Sequence, residues 1–179
     1  MYVRGNRRDY DRWASLGNHG WDYLSVLPYF KSMETYAGTC NNDTAKYHGF
    51  EGPQWVENGK IFTPVSKAFL KAGLELGYPI NDPNAHSQIG FSSPVFTSKE
   101  GVRQSAADSY LRDKLQHQDN LHLMTGAHVT RVLFNKRKRA IGVRFIKANK
   151  MQEVFVRKEV ILSAGALQTP QVLMLSGLG

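Results

Sequence analysis

The chain has 179 residues, 41% of them hydrophobic and 11% aromatic, and its 23 Lys and Arg against 15 Asp and Glu give a formal net charge of +8. This composition excludes a disordered or fibrous chain and suffices for one core or parts of two. No apolar run approaches the roughly eighteen residues of a membrane span, and the single cysteine, Cys40, excludes an internal disulfide or a thiolate-rich zinc site.

Arg7 to Leu16 sets Tyr10, Trp13 and Leu16 at helical spacing ahead of Gly17, which predicts a short helix. Its basic residues, with Arg4, alternate with Asp9 and Asp11 and read as a solvated face. A second helical pattern over Trp21 to Tyr36 puts Val26, Phe30 and Met33 on one side, with Pro28 tolerable in a first turn. Residues 37–62 are rich in Gly, Asn and Asp, contain His48-Gly-Phe-Glu-Gly-Pro53 and lack a helical period, so a long loop with one strand is expected. Within it Asn42-Asp43-Thr44 fits an N-glycosylation acceptor, relevant only if the protein is secreted.

Thr63-Pro64 opens the clearest helix: Thr as N-cap, Pro at the first helical position, a stripe of Val65, Ala68, Phe69, Ala72 and Leu76, and a stop at Gly77. Phe91 to Thr97 has the β-branched and aromatic character of an edge strand. A helix capped by Ser105 follows, through Ala106, Tyr110, Leu111 and Leu115. The style of the chain changes near Asn120. Leu121–Met124, His128–Phe134, Ala140–Ile146 and Glu153–Arg157 are strand candidates separated by turns. The basic run Lys136–Arg139 between two of them reads as a solvated hairpin tip rather than a nucleic-acid patch.

Val160-Ile-Leu162 is continuously apolar, as in a strand covered on both faces of a parallel sheet. It runs into Ser163-Ala164-Gly165-Ala166, almost free of side-chain bulk. Such an edge lets a cofactor approach the main chain, and the next helix, with Thr169 as N-cap and Pro170 at the first position, points its amides to the same edge. Taken alone, the short string also suits a plain strand, turn and helix packing unit. A mixed α/β (α+β) fold follows, divided near residue 120, with helices and loops over 1–119 and sheet over 120–179. No internal repeat is visible.

The full closing string, Gly165-Ala-Leu-Gln-Thr-Pro-Gln-Val-Leu-Met-Leu-Ser-Gly-Leu-Gly179, resembles the second signature of the glucose-methanol-choline (GMC) oxidoreductases at every specified position. A random match at one start point is on the order of 10⁻⁸ from average residue frequencies. Tyr2 to Trp13, Gly20 to Phe30, Arg103 to Leu111 and His128 to Leu133 resemble family segments in the same order, most like the insect glucose-dehydrogenase branch. One departure is Glu51, where related sequences more often have Gly in a His-Gly-x-Gly-Gly-Pro stretch, a substitution that would resist a positive φ.

The resemblance implies a partial FAD-binding doubly wound domain at 120–179, with a β-meander, and a helix- and loop-rich segment at 1–119 that follows the flavin loop and includes part of the substrate domain. It implies FAD as cofactor, an alcohol or sugar as substrate, and oxygen or a quinone as electron acceptor, with no nucleic acid and no membrane span. Val129 matches the position whose backbone meets the adenine, though ordinary strand core is its plainer reading. Ser163, Ala164 and Gly165 match the strand end beside the cofactor. No Gly-x-Gly-x-x-Gly is present, and none of His19, His48, His86, His117, His122 or His128 matches the catalytic histidine, each reading as a surface or loop residue. The chain therefore reads as an internal piece of an oxidoreductase, not competent alone. The alternative is a non-catalytic truncated relative kept for binding or scaffolding. The N-terminus carries no secretory stretch, and localisation stays open, with secretion dependent on an upstream signal.

Overall fold

A computed structural model describes residues 1–60 and 63–179, so the last two residues of the predicted 37–62 loop lie outside the described residues. The chain divides into two compact units, Met1–Leu121 and His122–Gly179.

In the first unit, α1 (Arg7–Ser15) begins with a capping box in which Asn6 and Asp9 exchange side-chain and backbone hydrogen bonds. Helix α2 (Tyr23–Met33) is capped by Asp22, which accepts from the Ser25 amide. Because α2 starts at Tyr23, Pro28 lies in the second turn and not the first. It removes the amide that would have met the Leu24 carbonyl, a local loss the helix tolerates. The end of the predicted second helix is instead β1 (Glu34–Tyr36), which pairs in parallel with β2 (Gln54–Asn58). Between them sits the one-turn α3 (Asn42–Ala45), capped by Asn41. Helix α4 (Pro64–Glu75) starts as the sequence predicts, with Thr63 accepting from the Ser66 amide and Pro64 in the first position.

The expected edge strand over Phe91–Thr97 shortens to β3 (Val95–Phe96), antiparallel to β2, while Phe91 makes a single bridge to Ile80. A small hairpin, β4 (Ser98–Lys99) and β5 (Val102–Arg103), turns through Glu100 and Gly101 at positive φ. The helix capped by Ser105 forms but breaks at Leu111 into α5 (Ala106–Tyr110) and α6 (Arg112–His117). The core of this unit is Tyr36, Val56 and Val95, flanked by Tyr2 and Cys40. Full burial of a side chain such as Val56 contributes about 1.5–3 kcal/mol.

The second unit is a meander of β6 (His128–Phe134), β7 (Ala140–Lys147) and β8 (Lys150–Phe155), with α7 (Gln168–Leu175) against β6. Lys136–Arg139 is the β6–β7 connection, where Asn135 Oδ1 accepts from the Arg137 and Arg139 amides. Strand β8 begins three residues before the predicted Glu153, because Ala148 and Asn149 make a two-residue turn with both φ positive. Alanine in that conformation leaves no sequence signal. Leu121–Met124 does not form a strand. Nor does Val160–Leu162: no described residue offers it a ladder, and Ile161 is 79% exposed. A continuously apolar run announces burial, but a strand exists only where a partner receives its backbone hydrogen bonds.

Candidate functional site

All four residues predicted to meet a cofactor lie in the second unit. Val129 sits on β6, an edge strand of the meander, opposite Phe145 and beside a bulge at Thr130, whose hydroxyl donates to the Arg144 carbonyl. Edge strands keep part of their backbone free of the ladder, and bulges re-aim it, both properties of a strand that meets a ligand through its main chain. The Val129 side chain is 37% exposed.

Ser163, Ala164 and Gly165 are exposed, and Gly165 has φ +93°, a conformation that side-chain-bearing residues resist. No atom lies within 4 Å of where a Cβ on Gly165 would stand. The segment leads directly into α7, but the cap differs from expectation. Leu167 holds the N-cap position without a side-chain hydrogen bond, and Thr169 is inside the first turn, its hydroxyl accepting from the Ala164 amide at 3.1 Å. Pro170 is accordingly the third helical residue, still within the turn whose amides need no helical acceptor. The result is a bulk-free segment leading into a helix start with no side-chain cap, where the Thr169 amide donates to the Gly165 carbonyl and Pro170 has no amide to offer.

The other end of α7 is tightly built. Ser176 Oγ accepts from the Val132 amide on β6 at 2.8 Å and donates to the Val172 carbonyl. Gly177, at φ +88°, closes the helix: its amide reaches the Met174 carbonyl and the Leu178 amide reaches Leu173. The Ser-Gly-Leu-Gly string therefore terminates α7 and ties it to β6.

The first unit holds a cluster that sequence reading missed. His48, predicted as a surface or loop histidine, is on a loop but 1% exposed, and stacks on Tyr36 with ring centroids 3.7 Å apart. Its Nδ1 lies 3.2 Å from Glu34 Oε2, and its Nε2 lies 2.6 Å from Asp82 Oδ2. Glu34, fully buried, also pairs with Arg4 and accepts from the Gly49 amide at 3.0 Å. Arg4 in turn donates from its backbone to Asn84 Oδ1. A chain of charged groups thus joins the N-terminal segment, β1, the His48 loop and the Asp82 loop.

Burial pushes the His48 pKa down, but the hydrogen bonds and charges of Asp82 and Glu34 outweigh it and the net shift is upward. For Asp82 burial pushes up, and the hydrogen bonds of His48 and the Asn84 amide with the charges of His48 and Arg4 bring the net shift down. Asp82 also lines a cavity of about 530 Å³ together with Tyr36, Cys40, Asn58, Asn81 and Ser93. Burial, and then the charge of Asp82, drives the Tyr36 hydroxyl far above its ordinary range. The four partners, Arg4, Glu34, His48 and Asp82, are scattered over 79 positions of sequence, so no spacing could have revealed them. The legible signal was His48-Gly49: a Cβ on Gly49 would stand 1.7 Å from the Lys31 carbonyl oxygen, so only glycine lets this loop press against the end of α2. Glu51 is not at positive φ, so its departure from the family pattern leaves the loop unstrained. No group of metal-ligating side chains is found among the described residues.

The family model for GMC oxidoreductases matches residues 1–179. The whole chain aligns at 42% identity with human mitochondrial choline dehydrogenase and at 40% with the glucose dehydrogenase (FAD, quinone) of Drosophila pseudoobscura pseudoobscura, spanning 29% of each. Among solved structures, an FAD-dependent oxidoreductase from Chaetomium thermophilum superposes with a TM-score of 0.87 at 34% identity, covering 99% of this chain and 32% of that one. A pyridoxine 4-oxidase gives 0.86 at 29% identity, covering 99% and 34%.

Proposed function

Since this chain belongs to the GMC oxidoreductase family, we propose that it is the central part of an FAD-dependent enzyme that oxidises a CH–OH donor, with residues 120–179 serving FAD and residues 1–119 contributing to the substrate side. The observation that carries this reading is the coincidence, in one unit, of a complete family signature with a bulk-free segment and a helix start lacking a side-chain cap. Ser163, Ala164, Gly165 and the backbone of Val129 would hold the cofactor, chiefly through main-chain atoms. Bound FAD supplies a hydride acceptor for the alcohol carbon.

The chain's own histidines are poor candidates for the base that takes the hydroxyl proton. His48 has both ring nitrogens engaged by carboxylates, and the other five are exposed. We assign the base to a residue beyond these 179 and expect no turnover from this chain by itself. The substrate is a small alcohol or sugar and the acceptor oxygen or a quinone, as the names of the relatives suggest.

The test is anaerobic addition of choline, glucose and a panel of simple alcohols to the full-length protein reconstituted with FAD. Bleaching of the flavin absorbance by one of them, followed by reoxidation with oxygen or a quinone, is the expected result. Failure to bind FAD, or a flavin that no alcohol reduces, would overturn the catalytic reading in favour of a non-catalytic binding homologue. Turnover by the 179-residue chain alone would refute the assignment of the base.

A further inference from the structure

The hydrogen-bond inventory around His48 has one unusual property: each ring nitrogen faces a carboxylate. Nδ1 meets Glu34 at 3.2 and 3.3 Å, and Nε2 meets Asp82 at 2.6 Å. A neutral imidazole has one N–H and one lone pair, so a neutral ring would turn a lone pair towards one of two carboxylates, the fully buried Glu34 or the partly buried Asp82. The other donors are already placed. Glu34 Oε2 takes Arg4 and the Gly49 amide, and Asp82 Oδ1 takes the Asn84 amide at 2.8 Å.

We propose that His48 is held as an imidazolium, the internal cation that balances Glu34 and Asp82 alongside Arg4, and that its loss of a proton unseats the Asp82 loop from the wall of the cavity. With the ring charged, two buried cations offset two carboxylates. With the ring neutral, the group carries an uncompensated buried negative charge, which is costly.

Every element around the ring bears on its charge. Tyr2 and Arg4 come from the N-terminal segment, Glu34 and Tyr36 from β1, Cys40 and Tyr47 from the connection that carries His48, and Asp82 from the loop beyond α4. Only Glu34 and Asp82 touch the ring nitrogens, and both are acceptors. The upward net shift at His48 and the downward one at Asp82 agree with a proton resident on the ring rather than on the carboxyl. The loop keeps a second anchor, since Asn84 accepts from the Arg4 amide and donates to the Tyr2 carbonyl. When the ring turns neutral Glu34 still has the Arg4 cation and the Gly49 amide, whereas Asp82 is left with the Asn84 amide alone, so deprotonation loosens the Asp82 end, which lines the cavity, and leaves the Asn84 end in place.

The sign is fixed by linkage. A histidine whose folded pKa is raised contributes stability that is fully present below its unfolded value, about 6.5, and is lost as pH rises through the folded value. The device is thus closed in mild acid and opens towards alkaline pH.

The experiment follows deuterium exchange at imidazole C2 by peptide mass spectrometry on the full-length protein, with exposed His19 as the internal reference. The expected midpoint for His48 lies above about 6.5. Backbone amides of residues 80–88, corrected for intrinsic pH dependence, should exchange at least about tenfold faster above that midpoint than below it. Asp82→Asn replaces the anion with a neutral acceptor of the same shape. It should lower the His48 midpoint and abolish the step in loop exchange. A midpoint at or below the ordinary histidine value, a loop whose exchange ignores that midpoint, or a step that survives in Asp82→Asn would each overturn the proposal. Should Asp82→Asn fail to fold, the wild-type midpoint and loop step decide it by themselves.

Discussion

Arg4→Met would leave Glu34 in a fully buried position with one cation fewer, and breaking a buried pair from one side costs about 3–5 kcal/mol. A drop of that size in denaturant-unfolding free energy is expected, and a change under about 1 kcal/mol would show that water or His48 compensates. Glu51→Gly tests the departure from the family pattern. Glu51 is exposed and not at positive φ, so glycine adds only unfolded-state entropy, and stability should fall by less than about 1 kcal/mol. On the cofactor side, Ala164 is exposed within its unit, so Ala164→Leu should leave the fold intact while weakening FAD binding at least about tenfold, equivalent to about 1.4 kcal/mol. Val129→Ala should change FAD affinity little, because a main-chain contact survives loss of the side chain. Flavin titration of both variants checks the pair, and equal losses would sink the assignment of roles. Of these residues, the glycines and the cofactor-side string were readable in sequence because a backbone requirement restricts the residue type. The charged partners were not, because a buried ion pair is defined by distance in space.

Helix ends behaved as their local chemistry dictates. Asn6, Asp22, Thr63 and Ser105 each accept from an amide of the first turn, and Gly17, Gly77 and Gly177 each follow a helix at positive φ. Of these, Thr63, Ser105, Gly17 and Gly77 were legible in the sequence, because capping is settled within five or six residues. The start of α7 was misread, since Thr169 and Pro170 fit an N-cap pair yet the chain enters the helix two residues earlier. Its end offers the sharper test. Ser176→Ala removes the acceptor of the Val132 amide and should cost about 1–3 kcal/mol, read as a lower unfolding midpoint with unchanged slope. A neutral result would mean that another acceptor replaces it. Strand β6 was read residue for residue, and β7 to within its last residue, because polar turns bound both and their faces alternate. Val160–Leu162 was read as a strand from its apolar run, but no described residue pairs with it.

Across the whole molecule, the pKa shifts predict a stability curve with two falling limbs. Asp11, Asp22, Glu57, Asp82 and Asp108 are all held below their ordinary values, mainly by backbone and side-chain hydrogen bonds, with burial the largest but opposing influence at Asp82. Their contribution is present above the ordinary carboxylate range near pH 4 and is lost as pH falls through the folded values. On the other side, His48 withdraws its contribution as pH rises past about 6.5, and the half-buried Tyr2 and Tyr10 and the buried Tyr23 and Tyr36 do so past about 10. Thermal unfolding across pH should therefore peak in mild acid, and a plateau extending unchanged from neutral to pH 9 would contradict the raised histidine. The sequence by itself determined the family, the mixed α/β class, the bounds of α1 and α4 to within a residue or so, and strands β6 and β7, because those depend on residue order over short spans. Only the tertiary structure decided that His48 is buried between Glu34 and Asp82, that Val160–Leu162 has no ladder partner among the described residues, and that the terminal Ser176-Gly-Leu-Gly179 string pins α7 to β6. Each of these depends on which distant segments meet, and no local pattern encodes that.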